Sequence, residues 1–104
     1  MKVLLLGLRG VVVEEARAHI DLADVEIFGG GSLDDMRAIF ATTPVDHVIL
    51  GGGLPLEIRL AIVREVFTLS SATTVHMKDI DSGPEGFFPF VSAVIRGLRE
   101  RSGR

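Results

Sequence analysis

Short apolar runs alternate with stretches of helical spacing along this chain. The strand candidates are Val3–Leu6, Val25–Phe28, Val45–Leu50 and Thr73–Met77. The stretches 11–20, 33–40, 55–69 and 90–98 carry apolar residues three or four positions apart. That spacing places them on one face of a helix, whereas strands buried on both faces are continuous apolar runs. The pattern predicts four βα units and a parallel sheet.

Signals at the helix ends refine this prediction. Ser32 and Asp35 have the spacing of a capping box, in which the serine oxygen accepts an amide and the carboxylate reaches back. Pro55 suits the first turn of the third helix. The β-branched run Val11–Val13 is a poor helix opening and predicts a late start for the first helix. We expect the last helix to begin near Pro89, after a glycine- and proline-rich loop.

Right-handed crossovers between these units predict the strand order 2-1-3-4 with helices on both faces. This is a small three-layer α/β domain of the Rossmann-like or flavodoxin-like kind. With 104 residues, the chain forms one domain, 1–104. Its 47% of hydrophobic residues are enough for one core.

Composition excludes several function classes. Fourteen acidic residues against eleven basic ones give a net charge of −3, which disfavours nucleic acid as a partner. The absence of cysteine excludes disulfides, thiolate metal sites and cysteine nucleophiles. No apolar segment approaches the roughly 18 residues of a membrane span, and the N-terminal run lacks a cleavage site. We therefore expect a cytoplasmic protein without a membrane partner.

Glycines concentrate in the strand-to-helix connections, which hold ten of the twelve. In a parallel sheet these connections share the carboxyl edge, where ligands of open α/β sheets bind at the reversal of strand order. Glycine lets the backbone approach a ligand closely, and helix N-termini suit anions. The predicted binding residues are Gly7, Arg9, Gly10, Gly29, Gly30, Gly31, Ser32, Gly51, Gly52, Gly53, Lys78 and Asp79. The loops 7–10 and 51–53 are predicted to face one crevice; alternatively, all these glycines serve turns and packing alone.

The segment Gly7-x-x-Gly10-x-x-Val13 after an apolar strand resembles the cofactor fingerprint of compact Rossmann-type short-chain dehydrogenases. The stretches 32–40 and 44–53 resemble the helix and strand that lead to a cofactor loop in the first half of that family. The resemblance implies a nucleotide site at the glycine loops. The activity of that family uses a tyrosine and a lysine, and this chain has no tyrosine. Its dehydrogenase chemistry is therefore excluded.

The size, the alternation and the segment Val45–Pro55 also resemble response-regulator receiver domains, in which a lysine ends a strand as Lys78 does here. Receivers place acidic residues after the first strand and a phosphorylated aspartate after the third. Here those places hold Gly7-Leu8-Arg9-Gly10 and Leu50-Gly51. The second resemblance thus implies a receiver-like module that is not phosphorylated.

The third helix carries more apolar surface than one-sided packing on a sheet requires. Its apolar arc spans about 200°, against about 100° for a surface helix. Leu56, Leu60, Val63 and Phe67 are predicted to face the sheet. The surplus face Ile58, Ile62, Val66 and Leu69 is predicted to form a homodimer interface, beside a fourth strand with an open edge.

The sequence thus favours a non-catalytic domain that binds an anionic, nucleotide-like small molecule, with no cofactor named. The alternative is a homodimeric interaction or regulatory module without a ligand. An enzyme that uses Lys78 with Asp79 or Asp81 ranks third.

Overall fold

The computed structural model describes every residue except Val12, Leu22, Gly103 and Arg104. The strands are β1 (Lys2–Leu6), β2 (Glu26–Gly30), β3 (His47–Leu50) and β4 (Thr74–Met77). The helices are α1 (Val13–His19), α2 (Leu33–Thr42), α3 (Leu56–Leu69) and α4 (Phe87–Ser102). A 3-10 turn at Pro84–Gly86 leads into α4. The predicted elements are confirmed, with ends shifted by at most four residues.

All strand pairs are parallel and the order is β2-β1-β3-β4, which confirms the predicted topology. Leu6 pairs with Gly30 on one side and with Leu50 on the other. The strand order therefore reverses at β1, and the connections that leave β1 and β3 diverge to opposite faces of the sheet. The carboxyl ends of these two strands frame the place where a ligand is expected.

The sheet is covered on both faces, which explains its continuous apolar runs. On one face, Val3 and Leu5 pack with Ala16 of α1 and with Val91 and Ile95 of α4. On the other face, alternate residues of β1 and β3 pack with α2 and α3 in a cluster that includes Leu4, Leu6, Val48, Leu50, Met36, Ile62 and Val66. Successive side chains of a strand point to opposite faces, so each strand contributes to both clusters.

The serine half of the predicted capping box is present at α2, whereas the carboxylate reaches the residue before the N-cap. The backbone N–H of Asp35 donates to Ser32 Oγ at 3.1 Å, and the Asp35 carboxylate accepts from the backbone N–H of Gly31 at 2.7 Å. The last helix begins at Phe87, two residues before the expected Pro89. Pro89 fits there because the first amides of a helix have no intrahelical acceptor to lose.

The predicted orientation of α3 is wrong. Ile62 and Val66, expected at an interface, are 0% exposed and lie in the core of their own chain. Leu60 and Phe67, expected to face the sheet, are 52% and 57% exposed. The buried face of α3 is centred on Ile62 and Val66 and also contains Arg59, so the helix is rotated relative to the predicted orientation.

Arg59 in fact lies on the buried side of α3. Its Nε donates to the backbone carbonyl of Leu54 at 2.9 Å, so the guanidinium is satisfied while its stem is covered. Of the four predicted interface residues, Ile58 and Leu69 remain exposed. Within the described residues, no helix is long and apolar enough to cross a membrane.

Candidate functional site

A cavity of about 490 Å³ opens at the carboxyl edge of the sheet, between the ends of β1 and β3. Its lining comprises Gly7, Leu8, Arg9, Gly10, Val11, Gly51, Gly52, Gly53, Lys78, Ile80, Gly83, Pro84 and Phe87. We call it the switch-point cavity. The structure thus brings together the two glycine loops that the sequence placed at one crevice, and it adds the β4–α4 connection as a third wall.

Several glycine amides in these loops already have backbone acceptors. The N–H of Gly7 donates to Gly30 O at 3.1 Å, that of Gly10 to Gly7 O at 2.9 Å and that of Gly51 to Leu6 O at 2.8 Å. These amides hold the loops in shape and are not available to a ligand. Within the described chain, the amides of Leu8, Arg9, Gly52 and Gly53 have no such acceptor.

The loop after β2 does not line the cavity, although Gly29, Gly30, Gly31 and Ser32 were predicted to bind the ligand. A Cβ on Gly29 would overlap the carbonyl oxygen of Val11, and one on Gly31 would lie 2.8 Å from the backbone N of Gly10. These glycines let the loops after β1 and β2 pack together, and Ser32 caps α2. These residues follow β2, the outer neighbour of β1, and the structure places them outside the lining of the cavity.

Lys78 directly follows β4 and lines the cavity as a buried residue. Its side chain is largely covered, leaving the residue 3% exposed, and Nζ donates to the backbone carbonyl of Asp79 at 2.9 Å. A Cβ on Gly86 would lie 3.1 Å from Lys78 Cε, so the turn before α4 covers the aliphatic stem. An ammonium group has three donors, and among the described residues no carboxylate forms a salt bridge with it.

The carboxylate of Asp79 serves the turn that follows β4. It accepts from the backbone N–H of Ser82 at 2.8 Å and from Ser82 Oγ at 3.0 Å. These bonds, the backbone one foremost, hold the pKa of Asp79 below its ordinary value. Neither Asp79 nor Asp81 lines the switch-point cavity. The acid–base pair of the enzyme hypothesis is therefore not assembled there, and only the carbonyl of Asp79 meets Lys78.

The sequence interpretation missed the apolar walls of the cavity. Leu8, Ile80, Pro84 and Phe87 line it, and the first two are well exposed. The sequence signal for this lining is the presence of large apolar residues in glycine-rich loops, which usually carry polar residues. Among the described residues, no group of three histidine, aspartate or glutamate side chains converges as a metal site.

A separate polar cluster lies on β3 and β4, outside the cavity. His47 Nδ1 lies 2.6 Å from Thr74 Oγ1, and the same hydroxyl lies 2.9 Å from His76 Nε2. Burial lowers the pKa of both histidines, because it disfavours the charged imidazolium.

This cluster predicts that the domain loses stability in mild acid. The unfolded chain takes up protons near pH 6.5, whereas folded His47 and His76 resist them, so stability falls as the pH drops below about 6.5. Urea unfolding between pH 7.5 and 5 should show this loss. Replacing both histidines by glutamine should flatten the dependence, and His19→Gln at the exposed end of α1 should not. An unchanged slope in the double variant would contradict the assignment.

Comparison with known proteins gives no match to a family model, to a curated protein or to a solved structure. The geometry of the switch-point cavity is therefore the main indication of function.

Proposed function

We propose that this chain is a non-catalytic binding domain for an anionic, nucleotide-like small molecule held in the switch-point cavity. The observation that carries the proposal is Lys78. A buried ammonium without a salt bridge is costly, because the charge of the nearby Asp79 carboxylate offsets its desolvation only in part. A phosphate or carboxylate in the cavity supplies the missing acceptor.

The cavity favours a ligand with one anionic end and one apolar body. Lys78, Arg9 and the amides of Gly52 and Gly53 provide hydrogen-bond donors among the lining residues. Leu8, Ile80 and Phe87 are apolar. The volume of about 490 Å³ lies within the roughly 300–1,000 Å³ that is usual for small-molecule sites. A nucleotide combines these chemical features.

Binding is favoured over catalysis because of what the lining contains. Arg9 and Lys78 are the only titratable side chains among its described residues. General acid–base catalysis requires a group that exchanges a proton near the operating pH, such as a histidine or a carboxylate at the reacting atom. The described residues of the wall can donate hydrogen bonds to an anion, but they include no histidine or carboxylate of this kind.

Thermal unfolding with added inorganic phosphate, AMP or ADP tests the proposal. A ligand present at a hundred times its dissociation constant stabilises the fold by about 2.7 kcal/mol, which raises Tm by roughly 10 °C in a domain of this size. Lys78→Met should abolish this response. The unliganded variant should be as stable as the wild type or more so, because the substitution removes a buried charge while keeping the volume.

A pair of arginine variants provides the matched control. Arg9→Ala should weaken binding at least tenfold, since a hydrogen bond to a charged group contributes about 1.5–3 kcal/mol, and should therefore reduce the Tm shift at the same ligand concentration by about half or more. Arg17→Ala makes the same change of charge on α1, outside the cavity, and should leave the response intact. If none of the three anions shifts the transition, or if Lys78→Met keeps the full shift, the proposal fails.

A further inference from the structure

An exposed apolar stripe runs along α3. Leu56, Leu60 and Phe67 are each about half exposed, and Val63 lies in line with them, partly buried. We call these four residues the α3 seam. Their spacing of four, three and four residues is the spacing by which two helices pack along a common line. Such a stripe on a surface helix requires a partner for burial.

Most of the α3 seam faces the free edge of the sheet, whereas Leu60 also borders the groove between α2 and α3. On the other side of the helix, Glu65 accepts a hydrogen bond from Arg37 of α2 at 2.7 Å. At about 100° per residue, Phe67 lies about 160° around the helix from Glu65 and therefore points away from α2. Since α2 lies toward β1, the seam lies toward the unpaired side of β4.

The outer edge of β4 offers backbone groups for pairing. The N–H groups of Thr74 and Lys78 donate to Asp46 O at 3.1 Å and to Leu50 O at 2.9 Å, so these residues face β3. Alternate residues of a parallel strand turn their backbone groups to opposite sides. Val75 and Met77 therefore present their N–H and C=O groups outward, at an edge that proteins usually cover or pair.

We propose that the α3 seam and the β4 edge together bind a second copy of this chain around a two-fold axis. The two β4 strands run antiparallel, with Val75 of each copy opposite Met77 of the other. That register places all four outward N–H and C=O groups of each strand in hydrogen-bonded pairs. The four-stranded sheets then join into one continuous sheet, with both α3 helices on the same face.

The spacing of the two helices fits this arrangement. Neighbouring strands lie about 4.8 Å apart, and α3 lies over the pair β3 and β4, since Ile62 and Val66 share a cluster with Val48 and Val75. The two α3 axes are then separated by roughly 10 Å, at the upper end of the 8–10 Å of packed helices. The same arrangement can therefore pair the β4 edges and bury the α3 seam between the two copies.

Charge complementarity argues for a second copy over an unrelated partner. In the antiparallel pair, Leu56 lies opposite Phe67 of the second copy, and Leu60 lies opposite Val63. The exposed Glu57 and Arg64 flank the seam at positions seven residues apart. The same pairing places Glu57 near Arg64 of the second copy, and the symmetry repeats this contact. A surface that is complementary to itself under a two-fold rotation is what an isologous dimer requires.

Sedimentation velocity over a range of protein concentrations tests the proposal. The wild type should sediment as a dimer at high concentration. Leu60→Glu should weaken association at least a hundredfold and give a folded monomer, because Leu60 is exposed in the single chain. Ala38→Glu adds the same carboxylate on the exposed surface of α2 and should leave the dimer intact.

A charge exchange tests the antiparallel register. Glu57→Arg and Arg64→Glu should each weaken association about tenfold, because each places like charges across the axis twice. The double exchange restores opposite charges and should return the dissociation constant close to the wild-type value. The proposal is overturned by a monomeric wild type, which would assign this surface to another partner. A dimer that survives Leu60→Glu, or a double exchange no tighter than the single variants, also overturns it.

Discussion

Replacing Ile62 by aspartate should unfold the domain. The side chain is 0% exposed and packs in the cluster that joins α3 to β1 and β3. Aspartate there loses the buried isoleucine surface, with a cost of about 2–5 kcal/mol for a comparable truncation, and adds an unpaired carboxylate. Domains of this size are stable by only about 5–15 kcal/mol, so most or all of the folded population should be lost.

Far-ultraviolet circular dichroism during urea unfolding measures this effect. The matched control is Leu60→Asp, which makes a similar change two residues earlier on the exposed side of the same helix. At a protein concentration where the chain is monomeric, this control should change the free energy of unfolding by about 1 kcal/mol or less. An Ile62→Asp variant that keeps wild-type stability would contradict the orientation of α3 described above.

Two glycine-to-alanine substitutions should have opposite effects on stability. The new Cβ in Gly29→Ala overlaps the carbonyl oxygen of Val11, a backbone atom that cannot rotate away. The loops after β1 and β2 must then separate, with an expected loss of about 2–4 kcal/mol, the range of other severe packing changes. In α4, a Cβ on Gly97 meets no atom within 4 Å. Gly97→Ala should therefore stabilise the domain by about 0.5–1 kcal/mol, since alanine favours the helix.

Denaturant unfolding of both variants, with and without AMP, distinguishes a packing role of Gly29 from a contact with the ligand. If Gly29 serves packing, Gly29→Ala should unfold at a lower denaturant concentration than the wild type, whether or not AMP is present. If Gly29→Ala keeps wild-type stability and loses only the response to AMP, then the loop after β2 contacts the ligand and the packing account is wrong.

The fold was predictable because its signals are local and agree with one another. Apolar runs such as Val3–Leu6 mark strands buried on both faces, and crossover handedness then limits the strand order. The cap at Ser32 and the glycine-rich edge followed from short-range spacing alone. These features do not depend on how distant parts of the chain meet.

Other features depend on tertiary contacts that cannot be inferred from the spacing of residues along the sequence. The rotation of α3 buries Arg59 together with Ile62 and Val66, and a hydrogen bond to the carbonyl of Leu54 satisfies the charged side chain there. The role of Gly29 and Gly31 depends on their close contacts with Val11 and Gly10 in the loop after β1, which make them packing positions. The burial of Lys78 results from the turn at Gly86, eight residues further on.

Titration of nitrogen-15-labelled protein with AMP, followed by amide chemical shifts, tests the binding proposal most directly. The account predicts saturable shifts centred on the backbone amides of Leu8, Arg9, Gly52 and Gly53, with those of Gly29 to Ser32 little changed. Lys78→Met should remove the saturable shifts without altering the rest of the spectrum. Saturable shifts centred on residues 29–32, or none across the switch-point cavity up to millimolar AMP, would contradict it.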